Sequence, residues 1–361
     1  MALVPSYIKN LANYVPGKPI EDVQRELGLK NVIKLASNEN SLGPSPRALA
    51  AMKKAMTTIH RYPDAAGYSL RKKLARRFDL NIENVILGAG SEGIMSTIMR
   101  TFLLKNDQII SAANSFIGFR VLANASGHKI HWVPMENYRY DLESMAAKIN
   151  NNTKIIYLAN PDNPMGTYFT EQEFDDFYKF VPQRTLIIMD EAYHEYAEGK
   201  KGYPDSMNYR YDNIITLRTF SKAYGLAGVR IGYGFAHTEL IENLLKVKVP
   251  FEPSFPAQVG GYAALDDTEF LERTLEINRQ GMNFLYGELN DLGLKAIPSA
   301  ANFITLSFES EARAGQITHS LLKKGVIVRH LLAFGWPECI RVSVGLAQEN
   351  IRFIRALEAC I

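Results

Sequence analysis

One lysine, Lys222, stands in the stretch TFSKAYGLAGVRIGY, with the small hydroxyl residues Thr219 and Ser221 just before it and Arg230 eight positions after it. Short O–H donors and a guanidinium fork are what a phosphate monoester needs to be neutralised and oriented. A lysine amine beside a phosphate-anchored aldehyde forms a Schiff base. A surface lysine in a glycine-containing loop carries the same letters. The rest of the chain must therefore supply the other parts of such a site.

Three further stretches do so. NVILGAGSEGIM runs from a strand through Gly88, Gly90 and Gly93 straight into a helix, where free N–H groups bind anions and glycine lets the backbone approach closely. The same letters match the dinucleotide fingerprint G-x-G-x-x-G, which wants an acidic residue about twenty positions on, at the end of the next strand. Asp107 precedes that strand and its end reads SAANSF, so a phosphate cradle for a smaller cofactor fits better; a plain tight turn fits too. In TLIIMDEAYHEY, Asp190 closes an apolar run at the C-terminal end of a buried strand. A carboxylate so placed, paired with a pyridine nitrogen, keeps the ring protonated and makes it an electron sink, the arrangement of pyridoxal phosphate (PLP) chemistry. Tyr193, three residues on, is placed to donate to the ring hydroxyl. An ATPase Walker B strand shares the Asp-Glu ending, but no G-x-x-x-x-G-K-[ST] occurs in the chain. His194 and Glu195 read as structural, without H-E-x-x-H spacing, and no metal is expected. In ANPDNPMGT, which is turn chemistry on any reading, Asn163 follows a central strand and offers an amide to a ring oxygen. Phe116, at the start of the SFIGF helix, is placed to cover a ring face.

These residues need a scaffold that brings strand ends together. Strand-like runs at NVILGA, QIISAA, KIHWVP, KIIYLAN, TLIIMD, IITLRT and RIGYGF alternate mainly with helix-like segments, which predicts an α/β domain on a largely parallel sheet with its ligands at the C-terminal strand ends. The last two runs lie closer together, so one antiparallel member is possible. Upstream, Pro19 and Gly28 bracket a helix, VIKLAS reads as a strand, and Ser45-Pro46 as the cap and first position of another helix. After PFEPSFP, a long amphipathic helix over FLERTLEINRQGMNFLYGELNDLG leads to a small α+β unit with ANFITLSF, VIVRHL and CIRVSVG as strands. The expected division is an N-terminal arm with a first strand over 1–44, packing near the small domain, a large cofactor-binding domain over 45–262, and a small C-terminal domain over 263–361.

Composition narrows the partners. The 361 residues are 47% hydrophobic and carry 41 basic against 38 acidic side chains, a net charge of +3. That is neither the excess nor the clustering of a nucleic-acid binder, so small molecules are the expected ligands. Cys339 and Cys360 lack metal-ligand spacing, no run is long enough to span a membrane, and MALVPSYIKN lacks the apolar core of a signal peptide. A cytoplasmic protein is expected.

Taken together and in this order, GAGSEG, NPDNPMG, DEAY and SKAYGLAGVRIGY resemble the PLP-dependent aminotransferases of the aspartate-aminotransferase fold (fold type I). YVPGKP, VIKLASNEN, LGPSP, RYPD and GVIVRHL…IRVSVG further resemble the histidinol-phosphate aminotransferases, over nearly the whole chain. The resemblance implies a seven-stranded, mainly parallel large-domain sheet and a homodimer with shared active sites. It implies that Lys222 carries the cofactor and shuttles the proton, that Asp190 pairs with the pyridine nitrogen, and that Asn163 and Tyr193 bind the ring hydroxyl. Thr219, Ser221, Arg230 and the backbone at Gly90, Ser91 and Glu92 would hold the cofactor phosphate, helped by Tyr62 from the partner subunit, with Phe116 stacking on the ring. Arg341 would take the α-carboxylate and, with Arg329, the substrate phosphate; Tyr14 would approach the imidazole and Asn163 would also face substrate. The implied reaction is L-histidinol phosphate plus 2-oxoglutarate to imidazole-acetol phosphate plus L-glutamate, in histidine biosynthesis, with aromatic amino acid transamination as the alternative. Ser41, His330 and the run PFEPS depart from the family pattern in regions expected to face substrate.

Overall fold

In chain order the strands are β1 (Ile33–Lys34), β2 (Val85–Gly88), β3 (Gln108–Ala112), β4 (Lys129–Val133), β5 (Thr153–Ala159), β6 (Leu186–Asp190), β7 (Ile214–Thr219), β8 (Gly232–Phe235), β9 (Lys295–Ile297), β10 (Phe303–Ser307), β11 (Val326–Ile327), β12 (Arg329–His330) and β13 (Cys339–Ser343). The computed structural model describes residues 3–13, 17–209 and 212–361.

Strands β2 to β8 form one seven-stranded sheet in the order β2-β8-β7-β6-β5-β3-β4. All run parallel except β8, which is antiparallel to both β2 and β7. The reason is the connection: parallel neighbours need a helical crossover, whereas β7 returns into β8 through the Lys222 loop and one short 3-10 turn, Ala227–Val229. Strands β2, β6, β7 and β8 are buried along their whole lengths, as expected of a sheet covered on both faces. The period of two sorts β5 cleanly, with Ile155, Tyr157 and Ala159 packing in one core beside Phe119 and Ile188, and Ile156 and Leu158 in another beside Phe174 and Met189. Each such side chain contributes about 1.5–3 kcal/mol of burial, so the strand ends are held on a rigid shelf.

The second sheet, β12-β13-β10-β9, is antiparallel throughout. Its apolar face packs against the helices Thr268–Asp291, Glu311–Lys323 and Ala347–Glu358, whose buried residues include Leu285, Ile317 and Phe353. Strand β1 pairs in parallel with β11, Ile33 opposite Val326, and Val23 of the helix Ile20–Leu27 packs with Ala36 and Ile327. Gly28 caps that helix in the left-handed conformation, and the Ser45 side chain accepts from the Ala48 N–H with Pro46 as the first helical residue, as the residue types predict.

Two features differ from the sequence-based expectation. VIVRHL is not one strand: the chain changes sheets at Val328, so β11 serves β1 while β12 serves β13. The helix Phe255–Ala264 is also new. Its small residues hide the amphipathic pattern, and they are small because the helix lies close to its neighbours: a Cβ on Gly260 would lie 2.8 Å from the Met52 sulfur. No described helix is long and apolar enough to cross a membrane.

Candidate active site

The C-terminal ends of β5, β6 and β7 come into register where Ala159 pairs with Asp190 and Asp190 with Leu217. One cleft opens there, lined by Gly90, Ser91, Glu92, Phe116, Asn163, Asp190, Tyr193, Thr219, Ser221, Lys222, Arg230, Arg329 and Arg341. These residues, spread from position 90 to 341, are thus gathered at one place.

At one end the cleft offers donors. Gly90 opens the helix Gly90–Phe102 with no side-chain cap, so its first N–H groups are free for an anion. A Cβ on Gly90 would lie 2.7 Å from Arg230 Nη2, and its φ is +75°; only glycine leaves this corner open. Arg230 itself sits at φ 57°, a conformation that costs a non-glycine residue about 1–3 kcal/mol, and its Nη2 reaches Glu92 Oε2 at 3.1 Å. Thr219 Oγ1 donates to Ser221 Oγ at 3.0 Å and accepts from the Ser221 N–H at 3.1 Å. Hydroxyls, guanidinium and helix start form a cradle for a phosphate.

Asp190 lies deeper and is 4% exposed. Its Oδ2 accepts from the Tyr157 hydroxyl at 2.8 Å and its Oδ1 from the Ala192 N–H at 3.2 Å. Burial, joined by the acidic neighbours Glu92 and Glu191, pushes the carboxyl up to about 7 against the pull of those two donors. A buried carboxylate whose charged neighbours are also acids is a site built for a cation. A protonated ring nitrogen fits it, and the residues present therefore fit PLP.

Lys222 Nζ lies 5.5 Å from the centre of the Tyr193 ring. The Tyr193 hydroxyl accepts from Asn38 Nδ2 at 2.9 Å, which leaves its own proton to donate elsewhere. Asn38 is 1% exposed and in turn holds Ser343 of β13, whose Oγ donates to Asn38 Oδ1 at 3.0 Å. Sequence reasoning missed both Asn38 and Tyr157. For Tyr157 a signal was present, as a phenol set between Ile155 and Ala159 on an apolar strand.

The opposite wall belongs to the second sheet. Arg329 and Arg341 are cross-strand partners, so their side chains share a face, and both guanidiniums stand over Phe334. Arg341 donates to Asn163 Oδ1 and, at 2.9 Å, to the Ala36 carbonyl. Phe116 is the N-cap residue of the helix Ile117–Ala125 and lines the cleft.

One expected site residue, Tyr62, is not among those lining this cleft. Tyr62 is 81% exposed and stacks on Phe251, ring centres 4.3 Å apart, away from the cleft of its own chain. Tyr14 lies outside the described residues. The departures from the family pattern also lie off the cleft lining: His330 Nε2 bonds the Pro337 carbonyl at 2.5 Å, Ser41 faces a separate groove, and Phe251 carries Tyr62. Behind Asn163, Asp162 is fully buried, its Oδ1 accepting from Ser115 Oγ at 2.5 Å, and burial pushes its carboxyl up to about 7. Near Tyr193, the acceptors of Glu191, His194 and Asp205 gather within 4.8 Å, but the Arg218 guanidinium already bridges Glu191 at 2.8 Å and Asp205 at 2.7 Å.

Residues 30–357 match the model of the aminotransferase class I and II family. The histidinol-phosphate aminotransferase of an Anaeromyxobacter species is 42% identical over 361 residues, covering 99% of this chain and 98% of that protein. Among solved structures, the histidinol-phosphate aminotransferase of Sinorhizobium meliloti, determined in complex with pyridoxal-5'-phosphate, superposes with a TM-score of 0.91 at 28% identity, covering 100% of this chain and 98% of that one. Aspartate aminotransferase from Thermus thermophilus shares the fold, with a TM-score of 0.84 at 20% identity and 100% of both chains covered. The chain belongs to the class I and II aminotransferases and, within them, to the histidinol-phosphate aminotransferase family.

Proposed function

We propose that this chain is a PLP-dependent aminotransferase that exchanges the amino group of L-histidinol phosphate with 2-oxoglutarate, giving imidazole-acetol phosphate and L-glutamate, in histidine biosynthesis. The observation that carries the reading is one cleft lined by Lys222, a buried Asp190 and two cross-strand arginines, Arg329 and Arg341. Both amino donors bring an anion besides the reacting carbon, a phosphate or a carboxylate, and a pair of guanidiniums accepts either.

When bound, PLP supplies the electron sink for the charge left when the substrate Cα–H bond breaks. Every other task falls to the chain. Thr219, Ser221, Arg230 and the backbone N–H groups at Gly90, Ser91 and Glu92 hold the cofactor phosphate. Asp190, ionised, would hold a proton on the ring nitrogen, and Phe116 would cover a ring face. Tyr193, its oxygen engaged by Asn38, directs its proton to the ring hydroxyl, with the Asn163 amide beside it. Lys222 Nζ would hold the cofactor aldehyde, and its amine is the base that would move the proton at the substrate Cα. Arg341 grips the α-carboxylate of glutamate, Arg329 and Arg341 the phosphate of histidinol phosphate, and Tyr14 approaches the imidazole.

The active unit is a homodimer with shared sites. Leu49, Met56, Ile59, Tyr62, Phe251 and Tyr262 are all exposed, Tyr62 stacked on Phe251, apolar side chains for a partner subunit to cover, and Tyr62 is the residue that reaches the partner's cofactor phosphate. The domain division is 1–44 as an arm, 45–262 as the large domain and 263–361 as the small one, supported by the pairing of β1 with β11 and the separate core under the second sheet. The compartment is the cytoplasm, in keeping with two free thiols, Cys339 and Cys360.

Borohydride reduction of the PLP-loaded protein followed by peptide mapping tests the reading. A pyridoxyl group on Lys222 is expected, and a label on any other lysine, or none, overturns it.

A further inference from the structure

The Asp190 carboxylate has only two protein hydrogen-bond donors among the described contacts, and one of them has no task of its own. Tyr157 is fully buried in the middle of β5. Its register partner on β6 is Ile188, two residues before Asp190, so Tyr157 and Asp190 are diagonal neighbours on one sheet face, within reach of a long side chain. The ring lies flat on Phe119, centroids 3.9 Å apart and planes 7° from parallel. That stack allows the phenol little freedom, and its hydroxyl meets Asp190 Oδ2 at 2.8 Å. A phenol is an expensive group to bury in a core to which the strand otherwise contributes Ile155 and Ala159, and its hydrogen bond to a carboxylate is what offsets the cost.

We propose that Tyr157 is a positioning residue for the cofactor: stacked on Phe119, it holds the Asp190 carboxylate ionised and in one orientation, so that Asp190 is ready to take the protonated ring nitrogen. The inference rests on the PLP reading above. With Oδ2 bonded to Tyr157 and Oδ1 to the Ala192 N–H, the carboxylate plane is set, and each oxygen retains acceptor capacity for the ring. Without the phenol, the pull of burial and of Glu92 and Glu191 on the carboxyl is opposed by one backbone N–H alone among these donors. Cofactor binding then has to drive a proton off Asp190 and reorient it.

The effect passes through the ring nitrogen, and that makes it separable from a merely structural role. Dissociation constants of the cofactor-free protein would be measured for PLP and for its deaza analogue, in which carbon replaces the ring nitrogen. Tyr157→Phe is expected to weaken PLP about tenfold, the worth of one hydrogen bond to a charged group, and to leave the deaza analogue within about twofold. On an Asp190→Asn background, Tyr157→Phe should change neither, because coupled residues are not additive. Equal weakening of both ligands, no weakening of either, or a full effect of Tyr157→Phe on the Asp190→Asn background would overturn the proposal. If Tyr157→Phe does not fold, 3-fluorotyrosine placed at 157 gives a more acidic donor of nearly the same shape. It should raise the preference for PLP over the analogue, and an unchanged preference sinks the idea. A wild-type protein that binds PLP on Lys222 while Tyr157→Phe leaves the preference unchanged refutes this inference alone; a wild-type protein that binds no PLP refutes the underlying reading with it.

Discussion

The two ends of the cleft are assembled over different distances along the chain. At the cofactor end, Asp190, Tyr193, Thr219, Ser221, Lys222 and Arg230 all come from the continuous run β6 to β8, and their places follow from where β6 and β7 stop and β8 starts. At the substrate end, Arg341 is fixed by the Ala36 carbonyl, 305 positions away, and by Asn163, 178 positions away, while Arg329 is set by its pairing across β13. The first end is built mainly on one rigid sheet, with Asn38 reaching in from outside it to the Tyr193 hydroxyl. The second exists only when the arm, the second sheet and the Asn163 turn meet. On the proposed roles, the chemistry common to all substrates would sit mainly on local structure and the selection among substrates on long-range contacts.

The largest expected effect breaks the cofactor end. Lys222→Ala should lower turnover by at least about a thousandfold, since anchor and proton carrier are lost together, while the protein still retains PLP through its phosphate. Stopped-flow or end-point assay of the purified variant checks this, and near-normal turnover would remove Lys222 from the mechanism. Asp190→Ala comes next, with a loss of about a hundredfold or more in kcat; less than about tenfold, or 1.4 kcal/mol, would mean the pyridinium role is wrong.

At the substrate end the effect should be selective rather than total. Arg329→Ala is expected to reduce kcat/KM for histidinol phosphate by about ten- to a hundredfold, as for loss of a charge-assisted contact, with phenylalanine turnover little changed. Equal losses on both substrates would argue against a phosphate contact at Arg329.

The smallest effect concerns the joint between the two ends. Asp162, behind Asn163, has its carboxyl raised from an ordinary 3.8 to about 7 in the folded chain. Between those values the native state keeps a proton that the unfolded chain has released, so stability should fall as pH rises through that window, by up to about 1.4 kcal/mol per unit. Asp162→Asn should flatten that slope in urea melts of the cofactor-free protein at pH 5 and pH 7; a slope identical to wild type would show that Asp162 is ionised in the fold.

The same division explains what could be read without coordinates. Asp190, Lys222 and the Gly90 helix start were legible because strand-end position and residue type together restrict the chemistry. The antiparallel β8 was legible from the short return after Thr219. The split of VIVRHL between two sheets was not, because a one-residue change of partner at Val328 leaves no local mark. Asn38 was illegible for the same reason: its importance lies in reaching Tyr193 and Ser343, 155 and 305 positions away. The helix Phe255–Ala264 was missed because it packs through glycine and alanine rather than through an apolar stripe.

The most direct test of the whole account is a half-reaction. The PLP-loaded protein would be mixed in separate experiments with histidinol phosphate, glutamate and phenylalanine, without a second substrate, and the loss of the cofactor's aldehyde-form absorbance followed in a single turnover. The account predicts fast conversion by histidinol phosphate and by glutamate, with phenylalanine slow. Fast conversion by phenylalanine alone would contradict it, leaving the fold and the cofactor end in place while moving the enzyme to aromatic transamination.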